Sequence, residues 1–236
     1  MATNWVFTVL FAAGAVLAQD ASQTGAAALK ESLAQNQAKL RTYSWVETTD
    51  VSLKGEVKKH EQKQCSYGAD GKVQKTPIGG GAPAAAKQQA GDGGKRGGRL
   101  KEKVVENKVE DMKEYMEKVA ALVQQYVPPD PQKIQAAQSA GNVSTQPSGA
   151  ALNLNVKDYA KPGDLLAIGF DMTAKQLSSY KVQSFVEKPK EDDVTLAVTF
   201  GRLEDGTSYP QQTLLDVTAK KIQVKVTNSG YKKTGS

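Results

Sequence analysis

A thiol nucleophile with an imidazole base is the most reactive pair that this chain of 236 residues offers, since it has one cysteine, Cys65, and one histidine, His60. Both lie in the segment 56–67, which precedes a Gly-Ala-Asp-Gly turn and is predicted to be a strand. Side chains an odd number of positions apart point to opposite faces of a strand. We therefore predict an exposed histidine and a packed or half-buried thiol, and no catalytic pair.

Other catalytic and metal-binding patterns are weak. Carboxylates cluster in turns such as residues 191–193, where acids are normally solvated, and one histidine with one cysteine cannot make a common zinc site. The Gly94-Lys95 pair lacks both the earlier glycine and the following Ser or Thr of a phosphate-binding loop. A glycosidase pair of carboxylates distant in sequence stays open, although no pattern favours it. The sequence therefore predicts no enzyme activity, no cofactor and no metal.

The net charge of +6 and the pI of about 9.2 suit either a soluble basic surface or transient contact with an anionic membrane surface. Residues 77–99 are rich in glycine and contain basic residues, but no aromatic residue that would stack on bases. We therefore expect no nucleic-acid partner. Because this segment has almost no large apolar side chain, it is predicted to be a flexible insertion at about 77–99.

The first 18 residues contain no charged side chain and include an apolar run that is too short for a membrane-spanning helix. Val16-Leu17-Ala18 then suits the small-residue pattern of signal-peptide cleavage sites. No Lys or Arg precedes the run, so a buried or frayed N-terminal helix is the alternative. The prediction is a signal peptide over 1–18 and a periplasmic or secreted, soluble mature chain over 19–236.

Sequence periodicity divides residues 22–76 into a helix and three strands. Leucines at helical spacing predict a helix over 22–40. Alternation then predicts strands over 43–53 and 56–67, joined by a tight turn at Lys54-Gly55. A turn at 68–71 and a short strand over 72–76 follow.

After the insertion comes the clearest helix, residues 100–126, where Met112 and Met116 belong to an apolar stripe. Asp130-Pro131 resembles an N-cap followed by proline, which predicts a short helix to about residue 140. From residue 151 almost to the end, apolar and polar residues alternate and short turns recur. This pattern predicts an antiparallel meander, because parallel strands would need a helix in each crossover.

The order of these elements resembles the periplasmic outer-membrane lipoprotein carrier (Lol-type) superfamily and related lipoprotein folds. The resemblance rests on a helix bearing "LKESLAQNQAKLRTYSWVETTD", long strands with a "GADGK" turn, inserted helices and a final strand meander. It implies an α+β fold in which a strongly curved antiparallel sheet, a half-barrel, wraps around two or three helices. We expect one such domain over 19–236.

The resemblance and the apolar face of the meander together predict a carrier or sensor of an apolar ligand, a lipid or a lipoprotein acyl chain. The alternative is an envelope protein-interaction module with a filled core and a basic surface. Burial of each methylene of an acyl chain contributes about 0.8 kcal/mol, so a groove needs no specific hydrogen bond to hold one. The expected ligand-binding residues are Trp45, Met112, Met116, Leu196, Val198, Phe200, Val224 and Val226.

Overall fold

The computed structural model of the protein describes residues 34–79, 98–127 and 129–234. The expected signal peptide, 1–18, and most of the glycine-rich insertion, 80–97, lie outside the described residues. A helical segment over 34–40 leads into the first strand. The strands are β1 Tyr43–Leu53, β2 Glu56–Tyr67, β3 Val73–Pro77, β4 Val143–Ser148, β5 Ala151–Lys157, β6 Leu165–Asp171, β7 Gln176–Phe185, β8 Asp193–Arg202, β9 Ser208–Val217 and β10 Ile222–Lys233. The helices are α1 Gly98–Gln124 and α2 Pro131–Ser139, with a 3-10 turn at Thr218–Lys220.

All ten strands form one open, curved sheet in which every neighbouring pair is antiparallel. The strand order is β3-β2-β1-β10-β9-β8-β7-β6-β5-β4, so the first strand pairs with the last. The predicted α+β class and antiparallel meander are confirmed. Strands β3 and β4 form the two edges of this sheet.

The β1–β2 hairpin has its tight turn at Lys54-Gly55, as predicted from the sequence. Both turn residues have positive φ, 55° for Lys54 and 84° for Gly55. Two consecutive positive φ values are those of a type I′ turn, whose twist matches the right-handed twist of the strands it joins. The hairpin register follows, with Leu53 opposite Glu56.

The core lies between the sheet and the C-terminal half of α1. Val119, Leu122 and Val123 of this helix, with Tyr126 just beyond its end, are buried in one cluster with the inward-facing residues of β5 to β10. The alternation on β8 is as expected from the sequence. Its inward residues Val194, Leu196 and Val198 are at most 3% exposed.

A buried polar network fixes the end of α1 to the sheet. The Tyr126 hydroxyl lies 2.5 Å from Asp164 Oδ2 and 2.9 Å from Ser184 Oγ, and the Tyr180 hydroxyl donates to the Tyr126 carbonyl. Asp164 also accepts three backbone N–H groups, from residues 159–161. Because each buried polar atom in this network has a partner, the hydrogen bonds offset the cost of removing these groups from water while they orient the helix.

The sequence-based boundaries needed three corrections. Strand β4 was not predicted, because Val143–Ser148 contains one large apolar residue and a proline, and it forms by pairing with β5 along its whole length. Strand β3 extends to Pro77, and α1 begins at Gly98, so the insertion is shorter than 77–99. Helix α1 ends at Gln124, two residues before the predicted end at 126.

Candidate functional site

A small pocket opens on the face of the sheet that carries Trp45, at the β3-β2-β1-β10-β9 end. Its volume is about 40 Å³. It is lined by Leu40, Trp45, Glu47, Tyr67, Val73, Lys75, Pro210, Thr213, Val226, Asn228 and Tyr231. A mostly apolar and aromatic lining with a few convergent polar groups is typical of small-molecule sites.

Aromatic rings form one wall of this pocket. The Trp45 and Tyr231 rings stack with centroids 5.6 Å apart and planes 11° apart, and Tyr67 lies on Trp45 with centroids 5.5 Å apart. Tyr209 extends the group, 4.4 Å from Tyr231. The Trp45 Nε1–H donates to Asn228 Oδ1 at 3.1 Å, which fixes the indole in the plane of the wall. Such aromatic contacts add about 1 kcal/mol each beyond the area that they bury.

An ion pair forms the polar side of the pocket. Lys75 Nζ lies 2.8 and 2.6 Å from the two carboxylate oxygens of Glu47, and the side chains are only 13% and 10% exposed. Register explains the contact. Lys75 on β3 is opposite Cys65 on β2, and Cys65 is opposite Trp45 on β1, two positions from Glu47.

The ionisable groups around the pair are held neutral. Burial raises the pKa of the Cys65 thiol to about 11, with the Glu47 carboxylate adding to the effect. Burial also raises the pKa of the Tyr67 and Tyr231 hydroxyls. A protonated thiol is a poor nucleophile, so the arrangement suits binding better than covalent catalysis. The predicted packed thiol and exposed histidine are both confirmed, since Cys65 is buried and His60 is exposed.

The eight residues expected to bind ligand fall into two groups. Trp45 and Val226 line the pocket. Leu196, Val198 and Val224 are buried in the core cluster, and three partly buried residues pack against that cluster: Met112, Met116 and Phe200. Val226 belongs to both the pocket and the core cluster, so the two groups are continuous through this one side chain.

Sequence reasoning missed most of the pocket. Period-two alternation places Glu47 on the same face as Trp45, so its inward position was readable, although an acid there was not expected. The sequence did not predict that Lys75 lies at the pocket, because its position opposite Cys65 depends on the register between β2 and β3. Tyr231 lies on a part of β10 that extends beyond the predicted alternation at Ile222, Val224 and Val226.

The comparisons with known proteins are sparse. No protein-family model matches the sequence, and no curated protein matches it. Among solved structures, a LolA superfamily protein from Nitrosomonas europaea matches 87% of this chain and 94% of its own, with 9% sequence identity and a TM-score of 0.37. A likeness this distant identifies neither a family nor a ligand for this chain.

The described residues contain neither a group of metal ligands nor a membrane-spanning helix. Across the part of the chain that the structure describes, no three His, Cys, Asp or Glu side chains are grouped as metal ligands would be. Within the same residues, no helix combines the length and the apolar character that crossing a membrane requires.

Proposed function

We propose that the protein is an extracytoplasmic, non-enzymatic carrier or sensor of an apolar ligand, a lipid or a lipoprotein acyl chain. The ligand is bound on the concave side of the sheet, with its chain against α1. The observation that supports this most is the continuity between the aromatic pocket and the core cluster through Val226. An acyl chain whose end lies in the pocket would pass Val226 and then contact the apolar side chains of the core cluster.

The partly buried residues beside the core supply the surface for the chain. Met112 and Met116 on α1 pack against the core cluster without being fully buried, and so does Phe200 on β8. Methionine side chains are flexible and polarizable, which suits a surface that adapts to ligands of different shape. The pocket, with a volume of about 40 Å³, is too small for a whole acyl chain, so the rest of the acyl chain lies outside it, against these adaptable side chains.

We also propose that the protein is exported with the help of a signal peptide over residues 1–18. Cleavage after residue 18 releases the mature chain, 19–236, into the periplasm or the medium. The basic character of the chain, with a net charge of +6, favours transient contact with an anionic membrane surface during delivery.

Binding of the uncharged fluorophore N-phenyl-1-naphthylamine by delipidated protein tests the proposal. Its fluorescence should rise on binding and fall when an unlabelled lipid competes. Phe200→Glu should abolish the rise, because it places a charge on the apolar surface. Met172→Glu is the matched control, since Met172 is 56% exposed and lies outside the core cluster. Folding of each variant is checked by circular dichroism.

A second candidate function is supported by the near-complete burial of Leu196 and Val198, at 2% and 1% exposure. A core filled to this extent suits an envelope module that engages another protein through its basic surface. The same measurement separates the two. Folded wild-type protein that binds no apolar probe, and that keeps a protein partner after lipid extraction, favours the second function.

A further inference from the structure

We propose that the pocket binds the uncharged polar end of an amphiphilic ligand, an ester or amide group, and discriminates against the same ligand with a charged end. This inference rests on the proposed function, because it concerns the end of the ligand whose chain lies against the core. It names the chemical class of the ligand, which the fold alone does not.

Charge balance is the first argument. Lys75 and Glu47 neutralise each other in a site where both side chains are nearly buried. A ligand carboxylate would compete with Glu47 for the ammonium, and a ligand ammonium would compete with Lys75 for the carboxylate. Either competition leaves one protein charge without its partner away from water, which is strongly unfavourable. An uncharged end leaves the pair intact.

Hydrogen-bond supply is the second argument. The Lys75 ammonium has three N–H groups, of which Glu47 takes two, and the third has no partner among the described residues. The indole N–H of Trp45 can only donate a hydrogen bond. The Asn228 atom that it contacts is therefore the amide oxygen, and the amide nitrogen points elsewhere. The Asn228 amide nitrogen donates one N–H to the Pro210 carbonyl. Its second N–H has no partner in the described part of the chain. The pocket thus offers spare donors, which a carbonyl oxygen complements.

Size is the third argument. A volume of about 40 Å³ admits a compact group of a few heavy atoms and excludes a sugar or a phosphocholine head. Trp45, Tyr67 and Tyr231 present flat ring surfaces to the carbon atoms next to such a carbonyl. Val226 then directs the chain towards the core.

A series of ligands with one chain and three different ends tests the inference. Dodecanoate, methyl dodecanoate and dodecylamine are titrated at pH 7 against wild-type protein, with displacement of N-phenyl-1-naphthylamine as the readout. We expect the methyl ester to bind about tenfold more tightly than either charged ligand. Equal binding of all three, or a preference for one charge, would overturn the inference.

Single substitutions in the ion pair should shift the preference in opposite directions. Lys75→Met leaves the Glu47 carboxylate unpaired, so dodecylamine should gain affinity relative to the ester. Glu47→Gln leaves the Lys75 ammonium unpaired, so dodecanoate should gain instead. The control is Glu187→Gln in the exposed Lys118–Glu187 pair, which should leave the ester preference unchanged.

The exchanged variant Glu47→Lys/Lys75→Glu keeps a neutral pair and should keep the ester preference, so a single variant that does not fold leaves the test intact. The two proposals also fail in different ways. Wild-type protein that binds the fluorophore but ranks the ligands otherwise contradicts this inference and leaves the proposed function standing. Wild-type protein that binds neither the fluorophore nor any of the three ligands contradicts the proposed function.

Discussion

Lys75 and Glu47 form their ion pair across an intervening strand. They lie on β3 and β1, two strand spacings or about 10 Å apart, and β2 runs between them with Cys65 opposite Lys75. The Lys75 side chain crosses this distance and brings Nζ within 2.8 Å of both carboxylate oxygens. The thiol therefore lies between the two strands that the ion pair joins, and it is fully buried.

The first prediction uses Cys65 as a reporter of this arrangement. The native thiol should react very slowly with a disulfide reagent at pH 8, because it is buried and its pKa is raised to about 11. Lys75→Ala uncovers the thiol and should accelerate the reaction, although loss of the ammonium also removes an effect that lowers the thiol pKa and so limits the gain. The rate is followed by absorbance of the released thiolate, with urea-unfolded protein as the upper limit. Lys59→Ala, in an exposed pair with Glu61, should not change the rate.

The second prediction concerns stability. Glu47→Gln and Lys75→Met should each lower the free energy of unfolding by about 3 kcal/mol, since each leaves a nearly buried charge without its partner. The double variant should lose clearly less unfolding free energy than the two single variants together, because it leaves no unpaired charge. Urea denaturation of the four proteins measures the coupling. Strictly additive losses would show that the pair does not act as a unit.

The third prediction concerns the anchor of α1. Tyr126→Phe deletes the hydroxyl that contacts Asp164 and Ser184, so it should cost about 1 to 3 kcal/mol of unfolding free energy. Tyr231→Phe is the matched control, because the Tyr231 hydroxyl has no hydrogen bond within the described residues, and its cost should be below about 1 kcal/mol. Similar losses in the two variants would contradict the role of the network.

The fourth prediction concerns pH. The hydrogen bond from the Tyr43 hydroxyl, 2.6 Å from Asp205 Oδ2, is the main cause that holds the pKa of Asp205 well below its usual range. A carboxyl with a lowered native pKa contributes stability above its unfolded pKa of about 3.9, and this contribution is lost as the pH falls further. Tyr43→Phe removes the main cause, so the variant should lose less stability than wild type between about pH 4 and pH 2.

The measurement is the unfolding free energy of wild type and Tyr43→Phe at pH 7, 4 and 2.5. The difference in unfolding free energy between wild type and Tyr43→Phe should become smaller as the pH falls. A gap that stays constant over this range would contradict the assignment. Tyr43 itself affects stability at alkaline pH, because the same hydrogen bond is the main cause that raises its pKa to about 12. A raised pKa stabilises the folded protein at low pH and loses this effect as the pH rises. Its contribution is complete below about pH 10 and is lost towards pH 12.

The sequence was informative where local chemistry decides structure. Strand β8 was readable because Val194, Leu196 and Val198 alternate with polar or small residues, and a half-buried antiparallel strand requires this pattern. The start of α2 was readable because the Asp130 side chain accepts the Gln132 N–H at 2.8 Å, as an N-cap does.

The sequence was uninformative where distant pairing decides structure. Strand β4 has little strand character of its own and depends on β5 for its form. The Glu47–Lys75 contact joins residues 28 positions apart and requires the correct register of two successive hairpins. Periodicity does not determine such a register when the facing residues are polar. For this reason Trp45 and Val226 were expected at the site, while its charged pair was not.

Pairing of β1 with β10 has a consequence for the order in which this protein is made. Among the described strands, only β10, Ile222–Lys233, joins β1 to β9, and it is synthesised after the other nine. Until then the nascent polypeptide holds a three-stranded piece, β1–β3, and a six-stranded piece, β4–β9, each with an unpaired border. The sheet therefore cannot be completed before β10 has been synthesised, and a stop codon before Ile222 would leave two separate, aggregation-prone pieces.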